Sequence, residues 1–362
     1  MPQANATSNM FEPKVFLSMV QALEPDRGLY LYNSVRKDTT IYPYAEWTEK
    51  RGAFSELAEY NVPNSKANLV DRGPSGETVK TAALAYIREG DRFTPTATKY
   101  IKDINAGNDA ALVPAEKIIA DQVKYVNDRV NNRIEWSLWQ AIQGGFTYTG
   151  PATGTFTVDY NFRPAHKVTL GTSDQWTGTP TTKSIIDSIR TMKQMIRKDG
   201  GVDVNEVILT SATMDLLINA WRNAVIDGPR PLTDEQINLY YATGELKGFM
   251  GIETWKTIDQ YYDVRNADGQ TVEVKPYLDH GTVVFMNRSA NNALSYVTGP
   301  TADYDAPNGH IGRFGKNWLD KDPSGYSFLV EEYGLPVIDR PDQFGTLKVA
   351  SSTWVNDQGW RN

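Results

Sequence analysis

The feature that most constrains the fold is one long amphipathic helix, which the sequence predicts over residues 114–143. Its apolar residues recur at steps of three or four, the spacing of one helix face: Ile119, Val123, Val126, Val130, Ile134, Leu138 and Ile142. Pro114 suits the first helical position, where its missing N–H costs no hydrogen bond, and Gly144-Gly145 ends the helix. At 1.5 Å per residue the helix would be ~45 Å long, which favours a flat, elongated subunit over a small sphere.

The segments that precede this helix are predicted to be extended. Residues 1–40 read as an arm without a compact core, with a short helix near Val15–Leu23. In residues 41–100 strands are predicted at 41–44 and 79–87. The polar stretch between these strands is punctuated by Gly and Pro, which indicates a long protruding hairpin.

The segments that follow the helix alternate strand and helix. A β-hairpin is predicted with strands at 146–148 and 155–162 and a turn at 150–154. Residues 180–299 read as a compact α/β domain. Its predicted elements are a helix ended by Gly200-Gly201, a strand at 206–210, a helix that Ser211 caps, a hairpin at 261–275 and a strand at 282–286. Residues 300–350 read as strands again.

Composition excludes several classes of function. The chain has no Cys, which removes disulfide scaffolds, Cys-based zinc sites, iron–sulfur clusters and thiol nucleophiles. Its net charge is -7 and no basic patch is visible, so a direct reader of nucleic acid is not expected. No apolar run approaches the ~18 residues of a spanning helix, and the polar start lacks the pattern of a signal peptide. We therefore expect a protein made in the cytoplasm that does not enter a membrane.

No residue pattern indicates a catalytic, cofactor-binding or metal site. His166, His280 and His310 lack the spacing of metal ligands and are expected to have surface or structural roles. Glu331 and Glu332 are neighbours on a predicted strand and should point to opposite faces, whereas a catalytic pair must face one cleft. We predict that the chain is not an enzyme and needs no cofactor.

Two further motifs allow both a functional and a structural interpretation. Trp136 and Trp139 lie near the end of the long helix. Core packing is the preferred interpretation, and a subunit contact is the alternative because Trp is enriched at interface hot spots. The Gly-rich segment 71–76 lacks the strand–helix context of a phosphate-binding loop and is interpreted as a loop tip.

The C-terminal segment resembles the phage lambda major capsid protein family. The matching steps are Gly315-Lys316-Asn317-Trp318, Asp322-Pro323, Tyr326-Ser327-Phe328-Leu329-Val330, Leu335-Pro336 and Pro341-Asp342. Two earlier stretches also resemble the family: Ala141–Gly144 with Tyr148–Gly150, and Tyr277–Asp279 before Met286-Asn287. The resemblance is specific after residue 277 and around residues 134–160. One departure is that Leu335 precedes Pro336, whereas the family often places Leu after Pro.

The resemblance implies an α+β, Hong Kong 97-like phage capsid fold. Its expected parts are an N-terminal arm at 1–40, an extended loop at 41–100, a peripheral domain at 101–179 and 300–362 with the spine helix 114–143, and an α/β axial domain at 180–299. Some capsid proteins of this broad fold join their subunits by a Lys–Asn bond. Lys66 and Asn68 lie in the loop region, but nothing in their spacing indicates this chemistry, and no covalent cross-link is predicted.

The function implied by the resemblance is that of the major capsid protein of a tailed double-stranded DNA bacteriophage. Such a subunit self-assembles into hexamers and pentamers that form an icosahedral head. The implied partners are other copies, a scaffold, a portal and a decoration protein, with the DNA enclosed but not read by sequence. The protein would be found in the virion after synthesis in the host cytoplasm. The alternatives are an encapsulin-like nanocompartment shell protein and, from another class, an unrelated α/β enzyme.

Overall fold

The computed structural model describes residues 13–22, 28–52, 77–105, 112–150, 154–178, 180–224, 232–265, 272–288, 293–321 and 324–351. These stretches contain the helices α1 (Pro13–Ala22), α2 (Tyr30–Ser34), α3 (Pro95–Asn105), α4 (Leu112–Ile142), α5 (Thr182–Gly200), α6 (Ser211–Asn223) and α7 (Asp234–Thr243). Their strands are β1 (Arg36–Thr39), β2 (Tyr44–Lys50), β3 (Glu77–Ala83), β4 (Ala85–Arg92), β5 (Gly145–Gly150), β6 (Gly154–Asp159), β7 (Lys167–Thr169), β8 (Glu206–Leu209), β9 (Glu245–Lys247), β10 (Thr254–Thr257), β11 (Tyr261–Arg265), β12 (Val272–Pro276), β13 (Thr282–Met286), β14 (Leu294–Thr298), β15 (Phe314–Lys321), β16 (Ser324–Ile338) and β17 (Gly345–Lys348). The mixed helix and sheet content confirms the α+β prediction.

The chain forms two compact units, each built from segments that are distant in sequence. Unit 1 comprises Met1–Glu46, Thr81–Leu138 and Ser295–Val337. Unit 2 comprises Trp47–Lys80, Trp139–Leu294 and Ile338–Asn362. Residues from both halves of the chain must therefore come together before either unit can bury its core.

The helix α4 is the long element that the sequence predicts. It begins two residues earlier and ends one residue earlier than the predicted range 114–143. All seven residues of the predicted apolar face are at most 2% exposed, which confirms the helical period. With 31 residues and a rise of 1.5 Å per residue, α4 is about 46 Å long.

Unit 1 is organised around a five-stranded sheet in the order β1-β14-β16-β15, with β4 also paired to β16. The long strand β16 is antiparallel to both β15 and β4, and β1 is parallel to β14. This sheet confirms the strands predicted near the C-terminal end of the chain.

The N-terminal arm contributes to the core of unit 1, so the prediction of an arm without a core is wrong. Phe16 and Val20 of α1 are at most 1% exposed, and the Phe16 ring meets the edge of Phe328 at 6.1 Å. Gly315 on β15 makes room for α1, because a Cβ there would lie 2.7 Å from Val20 Cγ2. The two apolar residues were too few and too far from other apolar residues in sequence to indicate a core.

Unit 2 contains a six-stranded sheet in the order β7-β17-β13-β8-β10-β9. Strands β8 and β10 are parallel, and one continuous hydrophobic core includes residues of α5, α6 and α7. The predicted end of α5 is confirmed, because Gly201 follows it with a left-handed φ of 68°.

One predicted helix cap in unit 2 is wrong by one residue. The residue that caps α6 is Thr210, whose Oγ1 accepts a hydrogen bond from the Thr213 amide at 3.4 Å, whereas Ser211 is already helical. Thr210 has φ −86° and ψ 159°, the extended backbone that an N-cap requires. Thr210, the last residue of the predicted strand, is therefore also the N-cap of α6.

The hairpin after α4 is confirmed, with β5 antiparallel to β6. Its second strand ends at Asp159, earlier than predicted, since Asn161 adopts φ 51°. Val158, Tyr160 and Phe162 nevertheless remain buried in alternation. The hairpin of β11 and β12 is also antiparallel, and its predicted turn lies outside the described residues.

The predicted extended loop contains regular strands and one unpredicted helix. β2 and β3 form a two-stranded sheet of their own. The helix α3 overlaps the end of the stretch 41–100, where only extended chain was predicted. Thr94 Oγ1 accepts a hydrogen bond from the Ala97 amide at 3.3 Å, and Pro95 begins the helix, as a helical first position allows. Residues 53–76, with Lys66, Asn68 and the Gly-rich tip, lie outside the described residues.

Candidate assembly sites

A buried carboxylate on α4 holds the N-terminal arm within unit 1. Glu135 is 0% exposed, and its two carboxylate oxygens accept hydrogen bonds from the backbone amides of Leu31 at 3.0 Å and Tyr32 at 2.6 Å. These amides belong to the first turn of α2, where backbone N–H groups have no helical acceptor. The negative charge also suits the positive end of a helix. The arm is thus attached by its backbone.

A second polar group in unit 1 joins α4 to the sheet through Arg313. Its Nη1 donates to the Asn127 Oδ1 at 2.8 Å and to the Asn131 Oδ1 at 2.6 Å. Its Nε donates to the Glu332 Oε2 at 2.7 Å. Burial by itself would lower the pKa of Arg313, but the Glu332 carboxylate together with Tyr32 and Tyr296 outweighs it, and the pKa is raised. Arg313 therefore stays charged inside the unit and compensates a buried carboxylate.

The neighbouring carboxylates Glu331 and Glu332 bind different partners. Glu331 accepts a hydrogen bond from the Tyr86 hydroxyl and lies 3.6 Å from Arg88 Nε, whereas Glu332 binds Arg313. Burial, followed by the hydrogen bond to Glu331, raises the pKa of the Tyr86 hydroxyl. The two carboxylates share no cleft and each neutralises its own cation.

The three histidines are hydrogen-bonded within the fold. His166 is fully buried, with Nδ1 2.8 Å from the Phe344 carbonyl oxygen and Nε2 3.1 Å from Asp199 Oδ2. His280 is also buried, and its Nδ1 lies 2.9 Å from Thr210 Oγ1. Burial lowers the pKa of His280. These contacts are structural, and two of the three histidines lie in the interior and not on the surface.

His310 is partly buried, and its Nε2 lies 3.1 Å from the Arg313 carbonyl oxygen. Across the described stretches, no group of three or more His, Cys, Asp or Glu side chains is arranged to hold a metal ion. Nor does any helix within those stretches have the length and apolarity needed to cross a membrane.

The two tryptophans of α4 have different environments. Trp139 is 0% exposed, as the core-packing interpretation predicts. Trp136 is partly exposed, and the guanidinium carbon of Arg133 lies 5.0 Å from its ring centroid. Trp136 therefore keeps the alternative of a subunit contact.

A cavity of about 430 Å³ opens in unit 2 beside β7 and α5. Its apolar lining comes from Val168, Leu170, Met192 and Leu347, and its polar lining includes Asp174 and Ser184. Ser184 Oγ donates to Asp174 Oδ1 at 2.7 Å. The polar lining also includes the amine-bearing side chain of Lys183.

The comparison with protein families decides between the possible classes of protein. The model of the family described as "Phage major capsid protein E" matches residues 47–349. The chain belongs to this family. The resemblance found in the C-terminal segment is thereby confirmed, and the structural role of the family makes the chain a virion component. No curated protein matches the chain.

Solved structures show that this phage major capsid protein E family member shares its fold with phage-related proteins. A protein assigned as the capsid protein of a prophage of Escherichia coli CFT073 has a TM-score of 0.59 at 14% identity, over 93% of this chain and 98% of the other. A phage-related protein of Bordetella bronchiseptica RB50 has a TM-score of 0.54 at 13% identity, over 92% and 95%. The SrpI encapsulin of Synechococcus elongatus PCC 7942 has a TM-score of 0.49 at 10% identity, over 92% and 95%.

Several large apolar side chains of this family member are exposed and are candidates for contacts between subunits. Tyr42 and Tyr44 stack with ring centroids 5.2 Å apart at the start of β2, and Ile41 beside them is 71% exposed. The others include Leu239 and Tyr241 of α7, Trp318 and Leu319 of β15, and Tyr304, which follows β14. Contiguous exposed apolar surface marks interaction sites, whereas apolar side chains that are exposed singly are common on protein surfaces.

Sequence reasoning missed the polar residues that hold α4 in place. Asn127, Asn131 and Glu135 are all at most 1% exposed, although their types are usually found at the surface. They follow one another at intervals of four residues, which places them in one row along the helix. This row of polar residues beside the apolar face is the signal that could have found them.

Proposed function

We propose that this chain is the subunit of the icosahedral head of a tailed double-stranded DNA bacteriophage. In this proposal its copies form hexamers and pentamers, and it has no enzymatic activity. The observation that carries the proposal is the family match over residues 47–349. The net charge of -7 suits a container, because enclosing DNA requires no sequence-specific attraction to it.

The parts of a Hong Kong 97-like subunit are assigned within this proposal. The arm is 1–40, the extended loop is 41–100, α4 is the spine helix of the peripheral domain (101–179 and 300–362), and 180–299 is the axial domain. The exposed Ile41, Tyr42 and Tyr44 support a role for the start of the extended loop in lapping over a neighbouring subunit. A scaffold, a portal and a decoration protein are the proposed partners, and synthesis takes place in the host cytoplasm.

Assembly in this proposal is a physical process of many tethered contacts. An arm and a loop tie each subunit to several others, so that each further contact forms at a high effective concentration. The lattice is then stable although single contacts are weak. The extended loop is expected to gain order on assembly, and protection from hydrogen exchange over β2 and β3 should be greater in the shell than in the free subunit. Equal protection in both would contradict this expectation.

Electron microscopy of the expressed chain, with and without its scaffold, tests the proposed function. Closed shells are expected, whereas small oligomers that bind a substrate would support an unrelated enzyme. The content of native particles separates the remaining alternative, because nucleic acid supports a phage head and a protein cargo supports an encapsulin-like compartment. A single band at the subunit mass in a denaturing gel is expected, and bands at its multiples would show a covalent cross-link.

A further inference from the structure

One tyrosine of unit 1 is held almost completely in solvent. Tyr304 is 99% exposed, more than any other large apolar or aromatic side chain of the described residues. It lies in a turn in which the Ala306 amide donates to the Asp303 carbonyl oxygen at 3.1 Å. The Asp305 amide donates to Asp303 Oδ1 at 3.0 Å. We call residues 303–306 the Tyr304 turn.

The residues on both sides of Tyr304 are fixed by one lysine. Lys316 Nζ of β15 donates to Asp303 Oδ1 at 2.7 Å and to Asp305 Oδ2 at 2.8 Å. Arg88 Nη2 of β4 lies 3.4 Å from Asp303 Oδ2, and the Asp303 side chain is only 4% exposed. The turn is therefore anchored to two strands of the sheet while its tyrosine makes no packing contact.

The protonation states support this anchoring. Burial by itself would raise the pKa of Asp303, but the hydrogen bonds from Lys316 and the Asp305 amide outweigh it and the pKa is lowered. Burial would likewise lower the pKa of Lys316, yet its bonds to Asp303 and Asp305 raise it. Both partners are consequently charged at neutral pH.

An aromatic side chain on an anchored turn is well suited to binding. Tyrosine is enriched among the residues that dominate interface energies. Because the turn is fixed before contact, little conformational entropy of the backbone is lost on binding. This arrangement does not stabilise the isolated subunit, since the exposed ring buries no apolar surface there.

We propose that the Tyr304 turn is a contact site for a second copy of this chain in the assembled shell. The proposal rests on the proposed function. Because the exposed neighbours of Tyr304 are small or polar, the ring finds its apolar partner on a different surface of the second copy, which makes the contact heterologous and able to propagate through rings of subunits.

The area around the turn favours a second copy over a separate protein. One aromatic side chain buries roughly 150–250 Å², whereas a stable pair of separate proteins buries about 800 Å² on each partner. Its exposed neighbours are small or polar: Ala302, Asp305, Pro307, Asn308 and Gly309. A separate partner would find too little apolar surface here. A second copy is already held by its other lattice contacts, so that one additional side chain is sufficient.

The local charge also disfavours nucleic acid as the partner. The cations Arg88 and Lys316 are paired with Asp303, Asp305 and Glu331. No excess positive charge is left at the turn to attract phosphate groups.

The test compares Tyr304→Ala with the matched variant Tyr304→Phe in the full chain. The unfolding midpoint of the unassembled subunit should be unchanged in both, because the ring has no intramolecular contact to lose. The subunit concentration needed for shell assembly should rise about tenfold for Tyr304→Ala and remain near the wild-type value for Tyr304→Phe. Assembly of Tyr304→Ala at the wild-type concentration would overturn the proposal.

A second measurement uses the absence of cysteine from the chain. In Ala302→Cys the only thiol lies beside Tyr304, and its alkylation by a polar maleimide should be about tenfold slower in shells than in free subunits. Equal rates in shells and free subunits would overturn the proposal. Protection that requires an added decoration protein would overturn it as well, and would assign the turn to that partner. Failure of the wild-type chain to form shells counts against the proposed function, whereas shells with a fully reactive thiol count against the Tyr304 contact alone.

Discussion

Replacement of Arg313 by Met should destabilise unit 1 strongly, because it leaves a buried carboxylate without its cation. The Arg313 and Glu332 side chains are only 11% and 8% exposed, and Nη2 lies 2.6 Å from Oε2. Removing one partner of such a buried pair costs about 3–5 kcal/mol. The side-chain oxygens of Asn127 and Asn131 also lose a donor, which places the expected loss at the upper end of that range.

A matched control exists on α4, the helix that Arg313 contacts. Arg129 pairs with Glu89 at 2.9 Å, but these side chains are 42% and 38% exposed. Solvent screens this pair, so Arg129→Met should cost less than about 1 kcal/mol. The double variant Arg313→Met/Glu332→Leu should recover about 2 kcal/mol relative to Arg313→Met, because it also removes the unpaired charge.

Hydrogen exchange of α4 peptides across a urea series measures the local free energy of unfolding in the unassembled subunit. From most to least stable, we expect the order wild type, Arg129→Met, double variant and Arg313→Met. A loss of less than about 1 kcal/mol for Arg313→Met, or no recovery in the double variant, would refute the view that charge compensation holds α4 to the sheet.

Three further predictions concern the arm, the sheet and the turn. Glu135→Leu removes the acceptor of two arm amides, which costs ~1–3 kcal/mol for each amide. Hydrogen exchange of those amides should accelerate, whereas exchange of the β15 amides should not change. Unchanged rates for the arm amides would contradict the anchoring role of Glu135. Gly334→Ala should cost ~1–3 kcal/mol in urea unfolding, because its Cβ would lie 2.1 Å from the Tyr296 hydroxyl oxygen, and a neutral effect would show that the site can relax. The Asp303–Lys316 contact should be complete between about pH 4 and pH 10. Because the pKa of Asp303 is lowered in the folded protein, its contribution to stability is present at pH values above the pKa it has in the unfolded chain. This contribution is lost as the pH falls through the pKa of the folded state. Because the pKa of Lys316 is raised in the folded protein, its contribution to stability is present at pH values below the pKa it has in the unfolded chain. This contribution is lost as the pH rises through the pKa of the folded state. A Tyr304 ¹³Cα shift that moves inside this window would contradict the prediction.

The long helix and the following hairpin could be predicted because their residues are patterned locally. The apolar positions of α4 repeat with the helical period, and those of β6 alternate with the strand period. In both elements the spacing of the apolar residues indicates which side is buried. No partner element had to be known to make these predictions.

The buried polar contacts could not be predicted, because they depend on partners far away in sequence. Glu135 accepts from residues 103 and 104 positions earlier in the chain, and Arg313 reaches residues 182 and 186 positions away. A Glu or Asn on a helix is ordinarily a surface residue. Such a side chain can be buried only where the fold supplies it with a hydrogen-bond partner.

The burial of arm residues in the core of unit 1 could not be predicted for a related reason. Phe16 and Val20 form a single helical turn of apolar residues, which is too short to indicate burial by its period. The opposing surface is supplied by Gly315 and Phe328, about three hundred residues later in the chain. The same segment that carried the family resemblance therefore also completes the N-terminal part of the core.

The attachment of α2 through Glu135 has a consequence for how this protein can vary. The carboxylate recognises two peptide N–H groups, which every residue except proline possesses. Substitutions at Leu31 and Tyr32 that keep the helical turn therefore leave this bond intact, whereas proline at either position would abolish it. Sequence drift in the arm is tolerated at this point as long as the glutamate and the backbone geometry persist, and diverged relatives could keep the arm in place without sharing its residues.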